Sequence, residues 1–267
     1  MREKISACVI CFNEEDKIGR CLQSLRWCDE IVVMDSFSTD RTVEICREYT
    51  DRVYQHEWLG YVGQRNTVRE LSRHPWILFL DSDEEVSPAL RDEILGEFGR
   101  GTGPYLGYEF PRQVYYLGQW ICHGEWYPDI KLRLFKKEHG RTEGQEPHDK
   151  VVVSGAVKRL KSPVWHYTYD DLRDHLDTLN RFSTITAQQK FVQETPFRWT
   201  DLLFRPFFHF FKGYILRLGF LDGSRGFLIA MLCSFGAYMK YAKLWELAVR
   251  QKRSFREWPA TEGDKDA

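Results

Sequence analysis

Three runs of almost unbroken apolar residues, "SACVICF" (Ser6–Phe12), "EIVVMD" (Glu30–Asp35) and "WILFLD" (Trp76–Asp81), each stop at a polar or acidic tip. Unbroken apolar strands are buried on both faces, and that requires helices above and below a parallel sheet. The stretches between the runs supply those helices. Ile18, Cys21, Leu22 and Leu25 fall at i, i+3, i+4 and i+7, one apolar helix face. Asn13 is placed to cap that helix, and Asp40 to cap the next one through "TVEICREY". "DRVYQHE" reads as a third, shorter strand, and "YVGQRNTVRELSRH" as a helix that Pro75 closes. Ligands of such sheets bind beyond the carboxyl ends of the strands. Cys11–Glu15, Asp35–Asp40 and Asp81–Glu85 are therefore expected to converge on one crevice.

Beyond about residue 100 the pattern changes. "GYEFPRQVYYLGQWICHGEWYPDIKLRLFKK" is aromatic and strand-like with turns at Gly118 and Gly124, and "DKVVVSG" is another short strand. From Tyr169 the chain turns helical, with Leu172, Leu176, Leu179 and Phe182 in a stripe. The expected fold class is α/β, a Rossmann-like mixed sheet with a helical C-terminal extension. The expected divisions are 1–98, 99–168, 169–250 and a loose tail, 251–267. Pro196–Phe220 mixes Arg198, Arg205, Lys212 and Arg217 with aromatic and aliphatic residues against one acid, Asp201, which suits a membrane interface or an oligomer contact. The apolar run Gly226–Met239 has 14 residues, short of the roughly 20 that span a bilayer.

The 38 Lys and Arg nearly cancel the 39 Asp and Glu, so no global charge draws the chain to nucleic acid. Cys8 and Cys11 form a CxxC, but residues three apart on a strand point to opposite faces, which argues against metal or redox pairing. Reduced thiols, and a first strand that begins within a few residues with no signal-peptide pattern, lead to the expectation of a cytosolic protein.

The chemistry concentrates in "DSDEE", Asp81–Glu85. Asp81 and Asp83 stand two apart, so on an extended backbone both carboxylates point the same way. They repel unless a cation lies between them. Hard oxygens suit Mg²⁺ or Mn²⁺, which complete their shells with phosphate and water, so a diphosphate is the natural third party. Asp35 can accept from a nucleobase N–H or a ribose hydroxyl, and Arg65 can offset diphosphate charge. Lys131 and Arg133 alternate with Leu132 and Leu134 as the basic side of a half-buried strand. His166, in "WHY", is expected to be packed.

"ISACVICFNEEDKIGRCLQSL", "EIVVMDSFSTDRT" and "GQRNTVRELSRHPWILFLDSDEEVSP" together resemble family 2 inverting nucleotide-sugar glycosyltransferases of the GT-A fold. "HGEWYPDIKLRLFKK", "EPHDKVVVSGAVKRLKSPVWHYTYDDL", "FFKGYILRLGFLDGSRGF" and "MKYAKLWEL" are similar to the bacterial subgroup of lipopolysaccharide inner-core β-glucosyltransferases. The resemblance implies that Cys11, Asn13, Glu14, Glu15 and Asp35 bind the nucleotide, and that Asp81 and Asp83 hold ribose and metal. It implies a general base at Asp129, where "YPD" carries Pro128 in place of the family's Glu, with Glu125, Glu146 and Asp149 as rivals. His148 is a further metal or phosphate candidate. The implied donor is a nucleoside-diphosphate sugar, UDP-glucose favoured. The implied acceptor is a lipid-anchored glycan at the inner face of the cytoplasmic membrane. A peptide or polyprenyl-phosphate acceptor is the same-fold alternative. A nucleotidyltransferase would carry a Gly-rich basic loop after the first strand, whereas "CFNEEDK" is acidic and lacks glycine. A non-enzymatic membrane-docking module would leave the acids at the strand ends without a purpose.

Overall fold

The computed structural model describes residues 2–144 and 149–256 and divides the chain into two compact units. The first holds residues up to Trp120 and Trp126–Thr168; the second holds Ile121–Glu125 and the chain from Tyr169.

The first unit runs β1 (Ile5–Cys11), α1 (Ile18–Ser24), β2 (Glu30–Asp35), α2 (Thr42–Arg47), β3 (Val53–Gln55), α3 (Gly60–Leu71) and β4 (Trp76–Asp81). It continues through β5 (Glu84–Val86), α4 (Pro88–Arg100), β6 (Tyr105–Tyr116), β7 (Gln119–Trp120), β8 (Asp129–Lys136), β9 (Gly140–Glu143), β10 (Lys150–Val153), β11 (Ala156–Arg159) and β12 (Val164–His166). The main sheet has the order β3-β2-β1-β4-β8-β6-β12-β5, and β7 and β11 also pair with β6. β3, β2, β1 and β4 are parallel, as the alternation of strands and helices requires. β8 then enters antiparallel between β4 and β6. β9 and β10 form a separate antiparallel pair.

Every residue of β1 is buried. Its two faces serve two cores: Cys8 packs with Val32, Val68, Ile77 and Phe79, while Cys11 packs with Ile18 and Leu22 of α1. The CxxC cysteines thus face opposite layers, as the strand period demands. Ser87 caps α4, its Oγ accepting from the Leu90 amide at 3.1 Å, with Pro88 in the first turn. Asn13 does not cap α1, which starts only at Ile18. Asn13 has φ 53° and its Oδ1 accepts from the Thr39 amide at 2.8 Å, so it joins two loops instead.

The second unit contains α5 (Leu172–Val192), α6 (Trp199–Phe211) and α7 (Gly223–Arg256). Ala187, Leu202, Tyr241 and Leu244 form a core where the three helices meet. Between α6 and α7 the chain makes a π-helical turn at Lys212–Leu216 and a 3₁₀ turn at Gly219–Asp222. Backbone crosses backbone here. A Cβ on Gly226 would lie 1.8 Å from the Gly219 carbonyl oxygen, and one on Gly219 would lie 2.7 Å from that of Gly213. The buried Asp222 carboxylate accepts from the amides of Cys122 (3.1 Å) and His123 (2.8 Å) and lies 3.0 Å from His123 Nδ1. This holds Ile121–Glu125 in the second unit. The apolar run that began at Gly226 belongs to a helix far longer than its 14 residues. Residues Gly219–Gln251 are long and apolar enough to cross a membrane by length and composition. The helix continues past Gln251 to Arg256.

Two glycine substitutions separate these situations. Gly226→Ala forces a methyl group into backbone and is expected to destabilise by about 1–3 kcal/mol. Gly99→Ala, on the exposed side of α4 with nothing within 4 Å of the added Cβ, is expected to stabilise by up to about 1 kcal/mol. Urea midpoints at unchanged m-value measure both.

Candidate active site

The strand register places three tips side by side. Ile10 pairs with Asp81, Cys11 with Asp35, and Asp35 with Gln55. The loops after β1 and β2 are stitched together there. The Asn13 amide donates to Ser38 Oγ (2.8 Å), that of Glu14 to Thr42 Oγ1 (2.7 Å), and that of Glu15 to Asp40 Oδ2 (3.2 Å). Glu15 Oε2 accepts in return from the Arg41 amide at 3.1 Å. Asp35 is fully buried and accepts from the Ser38 amide (2.9 Å), the Ser38 hydroxyl and Gln55 Nε2 (3.0 Å). Gln64, on α3, donates to Ser36 Oγ at 2.9 Å and keeps its own amide oxygen buried without a partner.

From the tip of β4 a chain of alternating charges crosses the sheet. Asp149 and Asp81 (2.6 Å) both accept from Arg65. Asp81 and Glu84 accept from Arg133 at 2.6 and 3.2 Å. Glu84 lies 3.4 Å from Arg112, which binds Asp129 at 2.7 Å, and Lys131 lies 3.1 Å from Asp129. Glu84 Oε2 also accepts from the Asp81 amide at 3.0 Å. The geometry follows from β8. It runs antiparallel to β4 and β6, with Asp129 opposite Arg112, and Asp129, Lys131 and Arg133 alternate along it.

Burial alone would raise the Asp81 carboxyl, but Arg133 and then Arg65 hold it far below the ordinary carboxylate range. Burial likewise opposes the charge on Arg133, and Asp81 and Glu84 override it, so the guanidinium stays charged. Asp129 is also lowered, since Arg112 and Lys131 outweigh its burial.

Asp83 takes a different partner. Its Oδ2 lies 3.0 Å from His166 Nε2, its carbonyl accepts from the Tyr167 amide at 2.9 Å, and His166 lowers its carboxyl against the opposing effect of burial. His166 is buried, as expected, but it is aimed at the DSD tip. β12 pairs antiparallel with β5, which sets His166 opposite Glu84. Among the described residues no group of three or more His, Cys, Asp or Glu side chains is placed to hold a metal ion.

The structure thus brings Cys11, Asn13, Glu14, Glu15 and Asp35 to one loop cluster, and joins Arg65, Asp81, Asp149 and Asp129 in one charged chain. Glu125 lies in the second unit, 3.7 Å from Lys212 and 3.6 Å from Arg217. His148 and Glu146 lie outside the described residues. Arg112 was not expected in the site and His166 was given no place in it, whereas Glu84 belongs to the acidic tip that the sequence singled out. One signal pointed to Arg133: a strand whose arginine alternates with leucines places a charge at a half-buried position. Nothing in the sequence showed which acid it meets.

A mixed sheet whose parallel strands β3, β2, β1 and β4 are followed by the antiparallel β8, with a DSD tip at the end of β4, is the GT-A form of glycosyltransferase. The model of the family "Glycosyl transferase family 2" matches residues 6–159, and the chain belongs to that family. It is 30% identical to the lipopolysaccharide core biosynthesis glycosyltransferase LpsC of Rhizobium meliloti (strain 1021), covering 91% of this chain and 92% of that protein. It is also 30% identical to an uncharacterized glycosyltransferase of Rickettsia felis over 99% of both chains. Among solved structures, S. aureus TarS 1-349 in complex with UDP-GlcNAc is similar at 13% identity and a TM-score of 0.49, covering 93% of this chain and 92% of that one.

Two consequences are measurable. Arg133→Met leaves the buried Glu84 and the half-buried Asp81 against too little positive charge and is expected to cost about 3–5 kcal/mol in urea unfolding. The Asp81 carboxyl is lowered in the folded state, so its stabilisation is complete above the unfolded pKa of about 3.9 and is lost progressively as pH falls below that value towards the folded one. Asp81→Asn is therefore expected to flatten the acid limb of a stability–pH curve below about pH 4.

Proposed function

We propose that the protein transfers a hexose, with glucose from UDP-glucose the favoured donor, to a lipopolysaccharide core or related lipid-anchored glycan, inverting the anomeric carbon. The observation that carries this reading is the continuous charged chain from Asp81 and Arg65 at the DSD tip to Asp129 on β8. One end suits a diphosphate and the other a proton acceptor. The similarity to LpsC over most of both chains supports the acceptor class. The β1–β4 half serves the donor and the later strands serve the acceptor. A lipid-anchored acceptor puts the reaction at the inner face of the cytoplasmic membrane.

In this reading the stitched loops of Asn13–Glu15 and Ser36–Asp40 receive the nucleoside. Asp35, whose oxygens are already engaged, positions Ser38 and Gln55 rather than reaching the ligand itself. A divalent cation would be held by Asp83, with His166 orienting that carboxylate through its hydrogen bond, because Mg²⁺ and Mn²⁺ need only one or two carboxylates beside phosphate and water. Asp81 is the weaker ligand while two guanidinium groups occupy it. When bound, the cation supplies charge neutralisation on the diphosphate. Arg65, already at the tip, adds positive charge where the leaving group develops its own.

Asp129 takes the proton of the acceptor hydroxyl as that oxygen attacks the anomeric carbon. The bond from that carbon to the diphosphate oxygen breaks, its electron pair leaving with the diphosphate. Arg112 and Lys131 keep the Asp129 carboxylate ionised and oriented before the attack.

Calorimetric titration of nucleoside diphosphates with Mn²⁺, together with sugar-transfer kinetics, tests this reading. UDP is expected to bind in preference to other nucleoside diphosphates. Asp83→Asn and His166→Ala are each expected to weaken Mn²⁺-dependent UDP binding by about tenfold or more. Asp129→Asn is expected to lower kcat by about 10²–10⁴ with UDP affinity retained. Full Mn²⁺-dependent transfer by Asp83→Asn, or loss of UDP binding in Asp129→Asn, overturns the assignment of that residue.

A further inference from the structure

The second unit leaves a large apolar surface open. On α6, Leu203, Phe204, Phe207, Phe208 and Phe211 recur at helical spacing on the side away from the core residue Leu202, with Phe204 and Phe207 67% and 70% exposed. On α7, Phe227, Met231, Phe235, Tyr238 and Trp245 form a second exposed stripe. The two stripes are neighbours. Phe227 meets Phe210 of α6 edge-on with centroids 5.9 Å apart, and Trp245 lies 5.9 Å from Trp199 at the other end. Ile215, Leu216, Leu218 and Leu221 extend the apolar surface through the connecting turns. Isolated exposed apolar residues are ordinary, but contiguous surfaces of this kind mark an interaction site.

The charges around it identify the partner. Arg198, Arg205, Lys212, Arg217 and Arg225 punctuate residues 196–226, against two acids, Asp201 and Asp222. Asp222 is buried under His123, and Asp201 binds Arg205 at 2.6 Å. Lys212 and Arg217 lie 3.7 and 3.6 Å from Glu125, so five cations stand against three acids and the open surface is apolar with a net cationic fringe. A second copy of the chain across a two-fold axis would set this fringe against itself. An anionic bilayer surface complements it, the cations meeting lipid phosphates while the aromatic stripe enters the headgroup boundary.

We propose that the joined outer faces of α6 and α7 form a monotopic docking surface for an anionic bilayer, with both helices lying along the interface. α7 does not cross the membrane. Its opposite flank is taken by α5, where Lys243 Nζ donates to Asn180 and Thr184 at 2.7 Å. Crossing would strip that contact and carry Lys240 and Lys243 into hydrocarbon. The proposal deepens the reading of a lipid-anchored acceptor but does not depend on which sugar or nucleotide is used.

The test is flotation of the full chain with vesicles of phosphatidylcholine alone and with about 30 mol% phosphatidylglycerol added, alongside light scattering for oligomeric state and UDP titration for donor binding. The wild type is expected to float with the anionic vesicles and weakly or not at all with the neutral ones. Phe204→Ser/Phe207→Ser/Phe208→Ser, all at exposed positions, is expected to lower anionic binding by about tenfold or more. Arg198→Gln/Arg217→Gln is expected to weaken anionic binding selectively. UDP affinity should be unchanged in both variants, which separates this proposal from the donor assignment. Flotation unaffected by the triple substitution overturns the proposal. So does a wild-type dimer that does not float and that the triple substitution converts to monomer.

Discussion

The guanidinium of Arg133 lies buried between the carboxylates of Asp81 and Glu84, and the charged chain of the first unit is organised around that contact. Burying a charge costs several kcal/mol unless partners and hydrogen bonds compensate it. Asp81 and Glu84 lie on either side of the DSD turn, so neither can be buried without a cation. Arg133 can reach both only if β8 runs antiparallel beside β4. The ion pair therefore couples the position of the DSD tip to that of the strand carrying Asp129.

The coupling extends in both directions. Through Arg65 it reaches α3 and Asp149; through Glu84 and Arg112 it reaches β6 and Asp129. The carboxylates at the DSD tip and Asp129 on β8 thus share one electrostatic frame. The second unit follows a different logic, with Gly219 and Gly226 letting backbone approach backbone while Asp222 gathers the amides of Cys122 and His123. The "GFLDG" stretch that marked a subgroup resemblance is thus also a packing device.

The parallel half was legible because its strands are continuous apolar runs and its helices keep a clear period. The expected fourth strand, "WILFLD", is β4 residue for residue. The helix expected after Asn13 was placed too early, because the asparagine side chain found a partner in another loop, a long-range contact that local capping preferences do not contain. His166 was read as packed. It is buried, yet its ring reaches Asp83, since the pairing of β12 with β5 brings together residues 83 positions apart. The apolar run at Gly226 was judged by its uninterrupted length, while the helix that contains it absorbs charged residues on a covered flank.

The sequence by itself determined the strand–helix alternation, the acidic tips, the family and the basic aromatic character of the C-terminal segment. These are local patterns, written in side-chain periodicity and in the order of short motifs. Only the tertiary structure decided which cation neutralises which acid: that Arg133 serves Asp81 and Glu84, that His166 serves Asp83, and that Arg112 links Glu84 to Asp129. Ion pairing depends on strand register and direction across a sheet, and neighbouring residues in the chain carry no record of either. The same holds for the apolar stripes of α6 and α7. Their composition was visible in the sequence, but which face packs inward and which stays open was settled by the meeting of three helices at Leu202, Tyr241 and Leu244.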